Sequence, residues 1–492
     1  MVYLRDLYST VLLSKYLSVE GYALEPIIYY LFGGYGALFR EVSIVLADQK
    51  YATQFYGMSY ARTVDLEHPL FKNIHYISDF IRPPHQLLEP VDLGFLRDME
   101  ITYGLTISEM IHMDRHIMRL PPEQRMKLAE LILKQFLDDI RNFKITLVVA
   151  SALADLLSCF AHAYGKKTGL PVVHPVGARM GRNLCLSTTP NTGPYRYAEI
   201  YQSCYASFSE NNELARPVRE YIHQYISKRR QPHYVQGASS LLFRILSLAD
   251  LGIMWKLWKL YLQDRYGLHY TTFPLWVPFQ RVRRVYRAVM YSWFLRRHEI
   301  NLEYLKERRY VIYPIHFHPE ASTLVQGRFF NDQVRIVEMV SKALPADVTL
   351  VVKEHKVNVG RNPIGFYRKF LNFHNVRFIT DKVSVYELIN NAVGLVTICS
   401  SMGLEAMMCK KPVMVFGDVH YNLSKNVIRA TDFTKMGAYF DDLVSHKFDE
   451  IDLWALIETT RSQMFETGDL NPDSKEAVHA LAGAIVRFGS NP

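Results

Sequence analysis

Between residues 310 and 416, short apolar runs alternate with segments of helical periodicity, and few folds are compatible with this pattern. The apolar runs cover residues 310–315 (YVIYPI), 348–352 (VTLVV), 376–379 (VRFI), 394–398 (GLVTI) and 412–416 (PVMVF). The segments between them, residues 331–344, 364–373, 385–392 and 403–409, predict helices. Such alternation is typical of an α/β fold in which a parallel sheet is covered by helices on both faces.

The N-terminal third shows the same alternation. Strands are predicted over residues 42–46, 145–150 and 171–174, and helices over residues 124–143 and 152–164. These elements predict a first α/β domain.

A chain of 492 residues exceeds the size of one hydrophobic core, so several domains are expected. We predict a first α/β domain, a helical insertion, a second α/β domain and C-terminal helices. Their predicted bounds are residues 1–200, 201–309, 310–450 and 451–492.

The segment 238–309 differs in composition, because it is rich in aromatic residues, Arg and Lys and has a helical pattern interrupted at 267–278. A basic amphipathic helix can lie on an anionic membrane. It can equally pack its aromatic rings inward and leave the charges in water. Both interpretations stay open at this stage.

Composition excludes several classes of protein. The net charge of +9 is too diffuse for a dedicated nucleic-acid binder and suits an anionic ligand. The five cysteines form no CxxC pair, so we predict reduced thiols in a cytoplasmic protein without a zinc site. Signal-peptide and membrane-spanning patterns are not recognisable. Sequence signatures of dinucleotide-binding proteins, P-loop ATPases, elbow-type hydrolases and zincins are also missing.

Polar residues follow the predicted strands of the second domain, where ligands of such sheets bind. The first cluster contains His316, His318, Glu320 and Ser322, which can bind a sugar, relay protons or simply cap a turn. The second contains Lys353 and His355, which suit a phosphate but also occur in solvated charge runs.

The third cluster precedes a predicted helix and contains Ser400, Ser401, Gly403 and Glu405. Hydroxyl groups, a close backbone approach at the glycine and an acid for ribose hydroxyls would suit a nucleotide, whereas a plain helix cap is the simpler interpretation. A fourth loop, residues 416–421, would close over a ligand or form a tight turn.

Taken in order, the motifs YPIHFHPEAST, KEH and SSMGLEAMMCKKPVMVFG resemble the capsule polysaccharide biosynthesis family, which includes β-Kdo transferases. The likeness covers residues 305–425 well and 144–200 more weakly, through VVHPVGARMGRN. This chain has Lys356 where the family usually has proline, and Ser400-Ser401 where Gly-Thr or Ser-Thr is common.

The resemblance implies a GT-B-like glycosyltransferase, in which an N-terminal Rossmann-like acceptor domain and a C-terminal Rossmann-like nucleotide-sugar-binding domain flank the active site. His355, Ser400 and Ser401 would contact the donor phosphate, Glu405 the ribose or base, and the loop 316–322 the sugar or phosphate. The donor implied is CMP-Kdo or another CMP-linked nonulosonic acid, and a UDP- or GDP-sugar stays possible. The acceptor would be a bacterial surface polysaccharide, glycolipid or glycoprotein.

The catalytic group is expected from the first domain, but the sequence does not identify it. Candidates are Glu41 and Asp155 there, and His318 and Glu320 in the second domain. Arg179 and Arg182 follow a predicted strand, and their guanidinium groups would suit a donor carboxylate or phosphate.

We expect neither a metal nor a further cofactor, and a cytoplasmic location with or without peripheral contact at the inner membrane face. Two other functions remain open: a nucleotide-sugar epimerase or hydrolase of the UDP-GlcNAc 2-epimerase type, and a non-catalytic glycan-binding component of a capsule export complex.

Overall fold

The computed structural model describes residues 26–32, 36–60, 62, 66–82, 84–181, 183–189, 193–228, 248–263, 276–355, 358–380, 383–466 and 473–490. Within these residues the chain forms two seven-stranded sheets. Each sheet is covered by helices, so the predicted α/β class and the pair of Rossmann-like domains are confirmed.

The first sheet has the strand order β14-β6-β5-β4-β1-β2-β3. Strands β1 to β5 run parallel, while β6 and β14 add an antiparallel edge. The strands are β1 (Ile27–Phe32), β2 (Gln54–Ser59), β3 (Phe71–Tyr76), β4 (Leu147–Ala150), β5 (Val172–Gly177), β6 (Asn183–Ser187) and β14 (Phe465–Glu466).

The second sheet is parallel throughout, with the order β13-β12-β11-β8-β9-β10-β7. Its buried, β-branched strands are as expected for a sheet covered on both faces. The strands are β7 (Glu299–Ile300), β8 (Arg309–Pro314), β9 (Val348–Lys353), β10 (Val376–Ile379), β11 (Gly394–Thr397), β12 (Val413–Val415) and β13 (Val427–Arg429).

Helices connect the strands of both sheets. Up to residue 227 they are α1 (Gly36–Asp48), α2 (Ile77–Phe80), α3 (Leu93–Tyr103), α4 (Ile107–Met113), α5 (Pro122–Asn142), α6 (Leu156–Thr168), α7 (Tyr197–Glu210) and α8 (Arg216–Ser227). Beyond it they are α9 (Leu248–Gln263), α10 (Trp276–His298), α11 (Leu302–Leu305), α12 (Gln333–Ala343), α13 (Ile364–Phe370), α14 (Val385–Asn390), α15 (Met402–Met408), α16 (Met436–Ser445), α17 (Glu450–Gln463) and α18 (Lys475–Ser490).

One element was predicted wrongly, because residues 42–46 belong to helix α1 and not to a strand. The run VSIVL has the β-branched composition of a strand. Its buried positions, however, continue the helical spacing of Leu38, Phe39, Val42 and Leu46. This face packs against the first sheet and against α18.

Two parts of the chain pack in the domain that lies farther away in sequence. Helices α7 and α8 contribute Tyr197, Tyr201 and Val218 to the core of the second domain. Helix α18 returns to the first domain, where Leu481 and Ile485 are buried. Both domains therefore contain segments from distant parts of the sequence.

The aromatic, basic segment is represented by α9 and α10, and most of the predicted break at 267–278 lies outside the described residues. Tyr291, Phe294 and Leu295 of α10 are buried in the second domain, so this face of the helix is structural. Among the described helices, none combines the length and apolarity needed to cross a membrane.

Candidate functional site

The strand order of the second sheet reverses between the neighbouring strands β8 and β11, because β8 is followed on one side by β9 and β11 on the other side by β12. Such a reversal creates a crevice beyond the carboxyl ends of the two strands. Ligands of parallel sheets bind at such a point, beyond the carboxyl ends of the strands. His316, just after β8, crosses it: its Nε2 lies 3.0 Å from Thr397 Oγ1 and accepts from the Cys399 N–H at 3.3 Å. Burial lowers the pKa of His316 to about 3. This imidazole is neutral and links the two loops.

The rest of the first loop is more open. His318 and Glu320 are exposed, His318 precedes Pro319 through a cis peptide bond, and its Nδ1 lies 3.0 Å from Thr323 Oγ1. Ser322 donates to a carboxylate oxygen of Glu320 at 2.9 Å. Although His318 is exposed overall, partial desolvation of its ring lowers its pKa. The loop therefore presents an imidazole, a carboxylate and a hydroxyl in one place.

In the second cluster, after β9, Lys353 is buried while His355 is partly exposed. The ammonium group of Lys353 is buried and donates to the carbonyls of Thr380 and Val383, at 3.1 and 2.9 Å. The carboxyl group of Glu354 accepts from Tyr367 Oη at 2.5 Å, and burial raises its pKa to about 7. The amino group of Lys353 therefore binds protein carbonyls, and together with the Glu354 contact it fixes the loop that follows β9.

His355 is half-buried at the end of the same strand, and burial lowers its pKa. The neighbouring Lys356 lies outside the described residues. A phosphate contact by His355 remains a prediction. After burial, the presence of His355 contributes to lowering the pKa of His316.

The third cluster lies across the crevice. The hydroxyl of Ser400 accepts from the Met402 N–H at 3.1 Å, and its carbonyl accepts from Tyr421 Oη at 2.5 Å. The carbonyl of Ser401 accepts from the Leu404 N–H at 3.0 Å. Both serines are half-buried. The structure thus brings the two predicted serines to the same edge of the sheet as the first two clusters.

Gly403 lies against the side chain of Tyr421. A β-carbon at this position would lie 2.5 Å from Tyr421 Oη and 2.8 Å from its Cζ, so the glycine admits a tyrosine ring of the protein. Glu405 follows in the first turn of α15, where burial raises its pKa to about 7. A ribose contact by Glu405 remains a prediction.

Arg179 reaches this crevice from the first domain. Its Nη1 donates to the carbonyl of Cys399 at 2.9 Å, and its Nη2 donates to Gln326 Oε1 at 3.1 Å. Its backbone is left-handed, with a φ of 58°. The positive charge contributes to lowering the pKa of His420, after burial. Arg182 lies outside the described residues.

The first domain has its own point of strand reversal, between β1 and β4, and Asp155 follows β4 there. Asp155 is buried and caps α6 by accepting from the Ser158 N–H at 2.8 Å. Nearby, the buried Asp114 accepts from Tyr60 Oη at 2.5 Å. Burial raises the pKa of both acids, and the charge of Asp114 raises that of Asp155 further.

This acidic pair lies beside a contact between the domains. Met113 and Leu153 of the first domain pack with Val325 of the second. Glu109 and Arg328 form an ion pair across the same contact at 2.6 Å. Asp155 is therefore near the boundary between the domains.

Glu41 is less favourably placed for chemistry. It lies within α1, not at a strand end, and Arg40 donates to its carboxylate at 2.9 Å through Nε. Across the described part of the chain, no group of three or more His, Cys, Asp or Glu side chains is arranged to hold a metal ion.

Several residues near the two points of strand reversal were not predicted from the sequence. Gln326 and Asp114 follow no predicted strand and carry no motif. Tyr60 follows β2, which was not predicted. His420 and Tyr421 were assigned to a loop that closes over a ligand or turns tightly, but both are buried.

Comparison with known proteins finds a family match for the part of the chain that forms the crevice of the second domain. The profile of the family described as capsule polysaccharide biosynthesis protein matches residues 214–424. The match includes all four loops beyond β8, β9, β11 and β12, and it agrees with the resemblance read from the motifs. No curated protein has a significantly similar sequence.

Solved structures with a similar chain course have low sequence identity. KpsC of Thermosulfurimonas dismutans, described as a beta Kdo 2,7 transferase, is 12% identical, with 72% of this chain and 89% of that chain covered and a TM-score of 0.33. The KpsC beta Kdo 2,4 transferase of that organism is 14% identical, with 64% and 79% covered and a TM-score of 0.31. A putative UDP-N-acetylglucosamine 2-epimerase from Listeria monocytogenes is 8% identical, with 95% and 98% covered and a TM-score of 0.27.

Proposed function

We propose that this chain is a glycosyltransferase acting on a surface polysaccharide, glycolipid or glycoprotein, since the profile of the capsule polysaccharide biosynthesis family matches its residues 214–424. The observation that carries the proposal is the reach of Arg179 from the first domain to the Cys399 carbonyl, next to the serines of the second. A ligand in this crevice would contact both domains.

We propose a CMP-linked donor, with Kdo or another nonulosonic acid as the sugar. Such a donor carries a phosphate and a carboxylate, and both are anions that a guanidinium group binds well. A guanidinium has five N–H donors, and the described bonds of Arg179 use two of them. His355, Ser400 and Ser401 would bind the phosphate from the second domain. With these donors, we propose that no metal is needed.

In the transfer, an acceptor hydroxyl replaces the phosphate oxygen on the anomeric carbon, and CMP leaves with the bonding electron pair. The hydroxyl proton must pass to a base. We propose Asp155, because it lies at the strand reversal of the first domain and a raised pKa suits a carboxylate that takes up a proton near neutral pH. Glu320 is the alternative from the second domain.

A thermal-shift series with CMP, CDP, UMP, UDP, GDP and ADP, with and without Mg²⁺, tests the donor. A ligand at a hundred times its dissociation constant stabilises the fold by about 2.7 kcal/mol. We expect selective stabilisation by CMP without metal, followed by acceptor-dependent release of CMP from CMP-Kdo. Selective stabilisation by UDP would favour a hexose transferase or an epimerase. No response to any nucleotide would contradict the enzyme proposal and favour a glycan-binding protein.

A further inference from the structure

Helix α10 exposes a row of apolar side chains on the face opposite the one buried in the second domain. The exposed fractions are 53% for Val282, 64% for Tyr286, 56% for Val289 and 41% for Trp293. Spacings of four, three and four residues place these side chains on one face of a helix. Four neighbouring apolar side chains in water are costly unless a partner covers them.

The helix is held firmly with this face outward. Arg284 Nε donates to the Val359 carbonyl at 3.4 Å, and Arg287 Nη1 donates to the Arg361 carbonyl at 2.5 Å. A β-carbon on Gly360 would lie 2.3 Å from the backbone oxygen of Arg284, so the helix and this loop are in close contact. Rotating α10 to bury the exposed row would break all of these contacts.

The charge of the helix indicates what covers the row. Residues 276–298 contain six arginines and neither Asp nor Glu. Arg283, Arg296 and Arg297 are exposed around the row, and Arg297 lies over the ring of Trp293 at 3.8 Å. A second copy of the helix would bring six further positive charges to this surface. An anionic lipid surface offers both an apolar acyl-chain region for the row and negative headgroups for the arginines.

We propose that α10 docks the protein on an anionic membrane through the row Val282, Tyr286, Val289 and Trp293, with the flanking arginines on lipid phosphates. Helix α9 also exposes Trp255, by 61%, and Leu262, by 66%. The docking helix packs on the segment that follows β9, and that segment begins near His355. This membrane surface does not depend on the identity of the donor.

Sedimentation with vesicles tests the proposal. We expect the full chain to bind vesicles of phosphatidylcholine and phosphatidylglycerol in equal parts, to bind phosphatidylcholine alone far less, and to lose binding in high salt. The variant V282S/Y286S/V289S/W293S should bind the anionic vesicles at least tenfold more weakly. The variant R283Q/R296Q/R297Q should lose the component of vesicle binding that is sensitive to salt. Arg284 and Arg287 are left intact, because they bind backbone carbonyls.

A matched control removes exposed apolar side chains elsewhere. Leu88, Leu93 and Ile101 of the first domain are exposed by 68%, 67% and 68%, and their replacement by serine should leave vesicle binding unchanged. Thermal melting of each variant checks that it is folded. The proposal is wrong if the full chain does not bind anionic vesicles, or if the four-serine variant binds them as well as the full chain. A change from dimer to monomer with undiminished vesicle binding would instead assign the row to a second copy.

Discussion

Arg179 donates through Nη1 to the backbone carbonyl of Cys399 at 2.9 Å, although 220 residues separate the two in sequence. One side chain of the first domain thereby contacts the loop that carries Ser400 and Ser401 in the second. We therefore expect loss of this contact to affect both the crevice of the second domain and the fit between the domains.

Replacing Arg179 with glycine should weaken CMP binding at least tenfold, about 1.4 kcal/mol, while leaving the local backbone relaxed. Glycine adopts the left-handed conformation at 58° without strain, so the loss reports the side chain alone. The matched control is Arg196→Gly, at a φ of 54°, where the side chain pairs only with the exposed Glu199 among the described contacts. Calorimetric titration with CMP should separate the two variants, and equal affinities would remove Arg179 from the site.

The second cluster should divide into a stabilising residue and a binding residue. Lys353→Met leaves the Thr380 and Val383 carbonyls without their donor, so we expect a loss of about 1–3 kcal/mol in the free energy of unfolding. His355→Ala should instead keep the stability and weaken CMP binding tenfold or more. Urea unfolding and CMP titration of both variants measure this division. Normal CMP affinity in a folded His355→Ala variant would refute its phosphate role.

Asp155→Asn tests the proposed base without removing the helix cap. Asparagine caps a helix about as well as aspartate, so it can still accept from the Ser158 N–H and the fold should be retained. Transfer should fall at least a hundredfold, which is the lower end of the contribution of a general base. CMP affinity should be unchanged. Transfer at the wild-type rate would exclude Asp155 and direct attention to Glu320.

Gly403→Ala should destabilise the protein by about 1–3 kcal/mol, because the new methyl group overlaps the ring of Tyr421. Gly437 is a helical control with open space around its missing β-carbon. Gly437→Ala should stabilise the fold by about 0.5–1 kcal/mol through helix propensity. Melting temperatures of the two variants should therefore move in opposite directions. An unchanged melting temperature in Gly403→Ala would show that Tyr421 can move away.

Glu354 should make stability depend on pH between about 4.5 and 7. Its pKa is raised from 4.5 to about 7 by burial, so the native state favours the protonated form. The corresponding stability is fully present below pH 4.5 and is lost as the pH rises through 7, a change of about 3 kcal/mol. Glu354→Gln keeps the shape and removes the titration. Unfolding in urea across this range should show the wild type losing stability relative to the variant, and parallel curves would disprove the assignment.

The α/β class, five of the seven strands of the second sheet and the loops that follow them could be predicted from the sequence, whereas β7 and β13 were not predicted. Each of these features can be recognised locally in the sequence, because a buried parallel strand is a short apolar run and a covering helix has apolar residues every three to four positions. The error at residues 42–46 arose where β-branched composition and helical spacing disagreed over a few residues.

Which polar side chains of those loops contact the protein itself depends on tertiary packing. Lys353 and Gly403 sit in motifs that suggest a ligand, yet their surroundings are the Thr380 and Val383 carbonyls and the Tyr421 ring. The contact of Arg179 with Cys399, and the outward face of α10, likewise depend on packing between segments far apart in sequence. Local spacing cannot encode such contacts, because they are set by how whole domains and helices pack against one another.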